Sequence, residues 1–394
     1  MTYASNFLVA LIALLNLGLL SCAQSPDPDP AEDSIRIRPL TGNFPQALAL
    51  SPTADNGVYD ATVASDPQSG RVWMIYSGVE LIQGSSRIST HLAYSEDGGA
   101  SWIYTGLVNA SEALAPEDYP AEFSEAQAVF WQHEVPSITY DPDAPANERW
   151  RILWHRYLQV DDGIPSNEDR QFAYGWIGSK SAATPEGLLR AEEQKLFSTL
   201  AYHLNPSIEA FNNSILGLPQ VRLDGLDPEL SGTLVFSEPG MLAYQGDLYV
   251  SLLRRDMSEA KIVLIKFNQV RQSWEYVASL LDNQDARALN PSWNSFSASD
   301  LFLIDRQAFI LVSPVVNLYE GVLLLAFDPI RGQVRRDEEG LPDILYSLEK
   351  TPGAIQTGVA TYDEGLTATG MLFGDAFMGL PQFRMFASGI QIQH

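Results

Sequence analysis

Residues 95–102 read Ser95-Glu96-Asp97-Gly98-Gly99-Ala100-Ser101-Trp102. The residue types specify a tight turn between two strands. Asp97 caps its own turn, Gly98 and Gly99 permit the backbone to close, and Trp102 packs back into the sheet. The four residues before it, His91-Leu92-Ala93-Tyr94, supply the strand that enters the turn. The turn is therefore a structural staple of a small antiparallel sheet and carries no catalytic group. Residues 267–274, FNQVRQSW, bear a faint likeness to it that carries little weight in the reading.

Outward from this turn the chain reads as β. Short apolar runs rich in Val, Ile, Tyr and Trp alternate with clusters of Gly, Pro, Asp and Ser. Residues 71–76 (RVWMIY), 149–157 (RWRILWHRY), 247–253 (DLYVSLL) and 307–312 (QAFILV) are examples. Helical patterns are scarce, and residues 188–204 hold at most one short helix. A weak repeat underlies the runs: a strand beginning near an acidic residue, a turn, then a stronger strand. The starts fall at Asp60, Glu134, Glu238, Asp300 and Tyr362-Asp363. Repetition of small antiparallel sheets around an axis predicts an all-β chain folded as a β-propeller. Five four-stranded blades fit the spacing, or six if a degenerate blade lies within 188–236. Residues 35–39 are expected to add the outer strand of the last blade and close the ring. A two-sheet sandwich is the competing architecture, and it would not account for an acid at each start.

The chain has 49 acidic and 24 basic side chains and a net charge of −25. That excess argues against nucleic acid or an anionic membrane surface as a partner. Hydrophobic content of 45% and charged content of 19% describe a folded chain. The sole cysteine, Cys22, excludes an intramolecular disulfide and a cysteine-rich zinc site. It follows an apolar run over residues 7–20, too short to span a bilayer and suited to a signal-peptide core. The run ends Leu19-Leu20-Ser21-Cys22, which resembles the bacterial lipobox. The resemblance implies a signal peptide over 1–21, lipidation of Cys22 and an extracytoplasmic, membrane-anchored lipoprotein of the cell envelope. Residues 22–33 include the Pro/Asp alternation of a tether, and 34–394 form the propeller domain, expected to act as a monomer.

Ser95, Asp97, Gly99 and Trp102 fit the S-x-D-x-G-x-[ST]-W pattern, so the turn resembles the Asp-box of sialidase-like propellers. Residues 237–254 are similar to the sialidase segment in which a glutamate starts one strand and an arginine ends the next. The resemblance implies that Glu238 activates a nucleophilic Tyr362 and that Arg254 holds a substrate carboxylate. The pattern is incomplete: where sialidases carry an aromatic-Arg-Ile-Pro motif, this chain reads Val58-Tyr59-Asp60-Ala61. The chain also resembles five-bladed glycosidases of the arabinanase and xylosidase type, which place three acids on inner strands around a central channel. That resemblance implies Asp60 as base, Glu238 as general acid and Glu134 as the carboxylate that tunes it.

Glycosidic cleavage needs one carboxylic acid and one carboxylate, and crowding of like charges keeps one of them protonated. Neighbouring His133 and His155 are candidates for binding sugar hydroxyls, and Trp131, Trp154 and Trp176 for stacking on sugar faces. Buried structural roles compete with each of these. No metal-ligand spacing is present and no cofactor is implied, although the sequence leaves open a stabilising calcium in the channel. The expected function is hydrolysis of a glycan at the channel. The competing expectation is a non-catalytic propeller that binds glycan or protein.

Overall fold

The computed structural model describes residues 35–50, 54–82, 85–161, 173–200 and 205–393. The expected signal peptide, Cys22 and the tether lie outside the described residues. Five antiparallel sheets follow one another along the chain as blades. Blade 1 comprises Val58–Ser65, Val72–Ile82, Ser85–Ser95 and Ile103–Asn109. Blade 2 comprises Ala128–Tyr140, Trp150–Asp161, Gly175–Ala182 and Gln194–Ser198. Blade 3 comprises Val235–Tyr244, Asp247–Arg255, Ala260–Asn268 and Ser273–Leu281. Blade 4 is built on Ser295–Ile304, Gln307–Val315 and Val322–Asp328, with Gln333–Val334 and Ile344–Leu348 at its edge. Blade 5 comprises Ala354–Thr361, Leu372–Phe377 and Phe383–Ala387. No helix among the described residues is long and apolar enough to cross a membrane.

Each blade packs on both faces, which explains why its second strand is an unbroken apolar run rather than an alternating one. In Val72–Ile82, Met74 and Tyr76 face blade 5, where they meet Leu372 and Met385. Trp73 and Ile75 face blade 2 and meet Ile152 and Trp154. Equivalent cores join blades 2 and 3 through Phe197 and Phe236, blades 3 and 4 through Leu264 and Ile310, and blades 4 and 5 through Phe309 and Phe373.

The ring closes with residues from both ends of the described chain. Gln46–Ala47 pairs with Phe383–Ala387 and completes blade 5. Arg36–Pro39 pairs separately with Ile390–Gln393 in a two-stranded ribbon. The outer strand expected at 35–39 is therefore supplied ten residues later, because Ile37 is drawn instead against the core of blades 4 and 5 opposite Ile392.

The described residues of 188–236 hold no further blade. Gln194–Ser198 is the outer strand of blade 2, and a helix, Pro206–Ser214, follows it. Asn205 caps that helix by accepting from the N–H groups of Ser207 and Ile208, with Pro206 in its first turn. Among the described residues of 188–204, Leu188 and Leu189 end a short 3-10 helix, Pro185–Leu189, and Leu196 and Phe197 lie in the strand.

One irregularity recurs in every blade. The register between inner and second strands shifts between Tyr59/Thr62, Glu134/Ser137, Ser237/Gly240, Ser297/Asp300 and Thr357/Ala360. These are β-bulges, which re-aim side chains and break the pairing locally. Asp60, Val135, Glu238 and Ala298 occupy their first positions with φ of 48°, 49°, 54° and 53°. Left-handed backbone costs a non-glycine residue about 1–3 kcal/mol, so the surrounding sheets must hold it in place.

Candidate active site

Asp60 and Glu238 sit on the bulges of blades 1 and 3, and Glu134 immediately precedes the bulge of blade 2. All three line one cavity of about 430 Å³ on the propeller axis. Val135, Ala298 and Val359, from the bulges of blades 2, 4 and 5, pack together with Tyr319 beside the acids. The cavity opens toward the end of the strands that carries Val235, Arg255, Asn317 and Gln356, which also line it.

Each carboxylate is held by a neighbouring strand. Val359 N–H donates to Asp60 Oδ1 at 3.1 Å, tying blade 1 to blade 5. The Tyr157 hydroxyl donates to Glu134 Oε2 at 2.5 Å within blade 2. Glu238 accepts three hydrogen bonds from blade 4: Tyr319 Oη to Oε1 at 2.8 Å, with Ser297 Oγ and Ala298 N–H both on Oε2. At the fifth bulge stands Gly358. A Cβ there would lie 2.6 Å from Asp60 Oδ1 and 2.5 Å from Tyr59 Cζ. The missing side chain is what leaves room for the Asp60 carboxyl.

Burial first, and the charge of Glu134 second, push Asp60 well above the ordinary carboxylate range. Burial also raises Glu134 to about 6; the Tyr157 phenol opposes that rise and the Glu238 charge adds to it. His155 lines the same cavity and is lowered to about 3 by burial, so it stays neutral. Crowded carboxyls of this kind retain a proton near neutral pH, and an acid and a base are then available together.

The other expected site residues lie elsewhere. Tyr362 is buried between blades 4 and 5, donates to Ile392 O at 2.9 Å and accepts from Ile392 N–H at 3.1 Å. It fastens the terminal ribbon and does not line the cavity with Glu238, because the inner strand has already passed its bulge four residues earlier. Arg254 points away from the axis, pairing with Asp256 at 2.9 Å and Glu259 at 3.4 Å and donating to Thr233. Its neighbour Arg255 lines the cavity instead, since successive strand residues face opposite ways. His133 alternates with Glu134 in the same manner and packs against Trp154 in the interface with blade 1. Trp131 is buried against Trp176, with the Arg156 guanidinium 4.4 Å above its ring. Trp154 and Trp176 are likewise fully buried.

Residues 95–102 form the turn their types dictate. Ser101 N–H and Oγ donate to Asp97, Ser95 Oγ donates to Asp97 Oδ1, and Gly99 N–H donates to Ser95 Oγ. Trp102 packs into the core shared with blade 5. The turn lies away from the cavity. Among the described residues no group of three or more His, Cys, Asp or Glu is arranged to hold a metal ion.

Several cavity residues escape a reading of the sequence. Tyr59 and Tyr319 line the cavity and Tyr157 reaches Glu134 from beside it, yet in sequence all three are ordinary strand or loop tyrosines. The alternation His155, Tyr157 on one strand face is the signal that could have found one of them.

No family model matches the sequence, and no curated protein matches it. Among solved structures the chain is similar to the Bombyx mori GH32 beta-fructofuranosidase, with a TM-score of 0.47, 12% identity, and coverage of 86% of this chain and 61% of that one. The chain thus spans less than two thirds of that enzyme's length. A thermostable family-43 glycoside hydrolase gives a TM-score of 0.45 at 11% identity, covering 87% of this chain and 91% of that one. A family 117 glycoside hydrolase from the marine bacterium Zobellia galactanivorans gives 0.42 at 12% identity, with 90% of each chain covered. The likeness concerns fold alone, and what those proteins act on is a property of theirs.

Proposed function

We propose that this propeller hydrolyses a glycosidic bond in its axial cavity. The observation that carries the reading is the meeting of three carboxyls, from three successive inner strands, in one small cavity. Asp60 is the base, Glu238 the proton donor, and Glu134 the group whose charge helps to raise Asp60. A base whose proton affinity is raised toward working pH is a stronger base once deprotonated. That suits Asp60. Tyr59 Oη is buried, lines the cavity and has no partner among the described residues, which suits a sugar hydroxyl. The cleaved bond is that between an anomeric carbon and its leaving oxygen. Water forms the new bond to that carbon while Asp60 takes its proton and Glu238 protonates the leaving oxygen; exchange with solvent then takes the proton from Asp60 and restores the one on Glu238.

The anchoring at Cys22 belongs to the same proposal, with the cavity working outside the cytoplasm. Its support is the Leu19-Leu20-Ser21-Cys22 sequence. Globomycin, which blocks lipoprotein signal cleavage, should then cause a larger precursor to accumulate.

The deciding experiment is a screen of residues 34–394 against aryl glycosides and native polysaccharides, with Glu238→Gln alongside. Turnover that survives Glu238→Gln unchanged would sink the assignment. A second reading, a glycan-binding propeller without turnover, has one observation in its favour. Both oxygens of Glu238 are already engaged by blade 4, as in a purely structural brace. Binding to a polysaccharide with no turnover of any substrate would select it.

A further inference from the structure

A second cavity, of about 360 Å³, lies between blades 2 and 3 and shares no lining residue with the axial one. The two sit at opposite ends of the same strands. In the second strand of blade 2, His155 faces the axial cavity and Arg151 the cleft. In the second strand of blade 3, Leu253 faces the axial cavity and Leu248 the cleft. The apolar layer of Ile177, Phe236, Val250 and Leu252 separates them.

The cleft has an apolar floor of Leu153, Leu196 and Met241, all nearly inaccessible to solvent. Trp274 stands in its wall, half-buried, held edge-on by Phe197 at 4.8 Å and tilted against Phe267 at 5.4 Å. Four glutamines complete the lining. Gln220 donates to Gln194 at 2.7 Å, and Gln272 donates to the Gln269 carbonyl at 2.6 Å. Gln269 in turn donates to Asp141 at 2.8 Å. Each of these amides retains donor or acceptor positions for a ligand.

The charges in the cleft are matched internally. Arg151 lies 3.6 Å from Asp141 and 3.7 Å from Glu148. Lys180 contributes to the lining, yet its ammonium donates to Val108 O in blade 1. A cleft with balanced charge offers little to an ionic ligand. An indole face, an apolar floor and a rim of amides and serine hydroxyls match a ligand with apolar C–H faces and many neutral hydroxyls. We propose that the cleft between blades 2 and 3 is a second binding site, for a neutral oligosaccharide segment, on the side of the propeller opposite the axial cavity. The inference goes beyond the axial reaction and stands whether or not that cavity is catalytic.

The test is native affinity electrophoresis of residues 34–394 in gels containing arabinan, xylan, inulin or laminarin. Wild type should be retarded by at least one of these. Trp274→Ala should weaken that binding fivefold or more. Because Trp274 also packs on Phe197, the paired change Gln220→Ala with Gln272→Ala is measured too. It removes only solvent-exposed amides and should weaken binding with an unchanged melting temperature. Absence of retardation by all four polysaccharides overturns the proposal. Retardation that both cleft variants retain in full overturns it as well. Turnover of aryl glycosides, read separately, reports on the axial carboxyls alone.

Discussion

In the proposed reaction Glu134 acts on the axial site through its charge. Burial first and the Glu134 charge second raise Asp60, and burial raises Glu134 itself to about 6. A base must be deprotonated to act, so activity should fall as pH drops through the raised Asp60 value. The acid limb of kcat/KM is therefore expected well above the usual carboxylate range near about 4. Glu134→Gln removes one of the charges that raise Asp60. The limb should then move to lower pH, because a like charge beside Asp60 has been removed. A pH–rate profile of the variant measures it, and an unmoved limb would separate Glu134 from the base. Asp60, Glu134, Glu238 and His155 were legible as residue types in the sequence. Tyr319 was not: it sits in the connection after Gln307–Val315, and only the fold brings its phenol to Glu238.

At the scale of elements, the turn at 95–102 has counterparts at the same place in other blades. Asn268 Oδ1 accepts from the Val270 and Arg271 N–H groups between the third and fourth strands of blade 3. Asp328 Oδ1 accepts from Ile330 and Arg331 at the equivalent point in blade 4. The turn at 267–274 thus sits at the same place in its blade, but its cap comes from Asn268 and not from Gln269, the position that matches Asp97. Asp97→Ala removes the acceptor of both Ser101 bonds. The expected loss is about 1–2 kcal/mol of stability, read as a lower denaturant midpoint with no change at the axial cavity. The strand rhythm was legible in sequence because both blade faces are buried and second strands read as apolar runs. Its phase slipped in blades 4 and 5. Ala298 and Gly358 occupy those bulges without a chemical marker, while Asp300 and Tyr362 face the interblade core.

At the scale of the molecule, buried acids couple folding to pH. Asp300 is buried and raised to about 7, with burial the largest cause and a hydrogen bond from Thr361 opposing it. Asp60 and Glu134 are raised as well. Below about pH 4 both folded and unfolded chains hold these protons. Between about pH 4 and 7 the unfolded chain releases them first, so stability falls as pH rises through that window. The melting temperature should be higher at pH 5 than at pH 8. Asp300→Asn should flatten the difference, and a curve that instead rises toward pH 8 would contradict these shifts. The pairing of Gln46–Ala47 with Phe383–Ala387 has a consequence of another kind. During synthesis the first blade leaves the ribosome with its blade 5 face bare, Val72, Met74 and Tyr76 included. That face waits until Leu372–Phe377 and Phe383–Ala387 have been made. Contacts so distant in sequence are slow to form. The nascent chain is therefore most exposed to misassociation and chaperone capture just before its last strands appear.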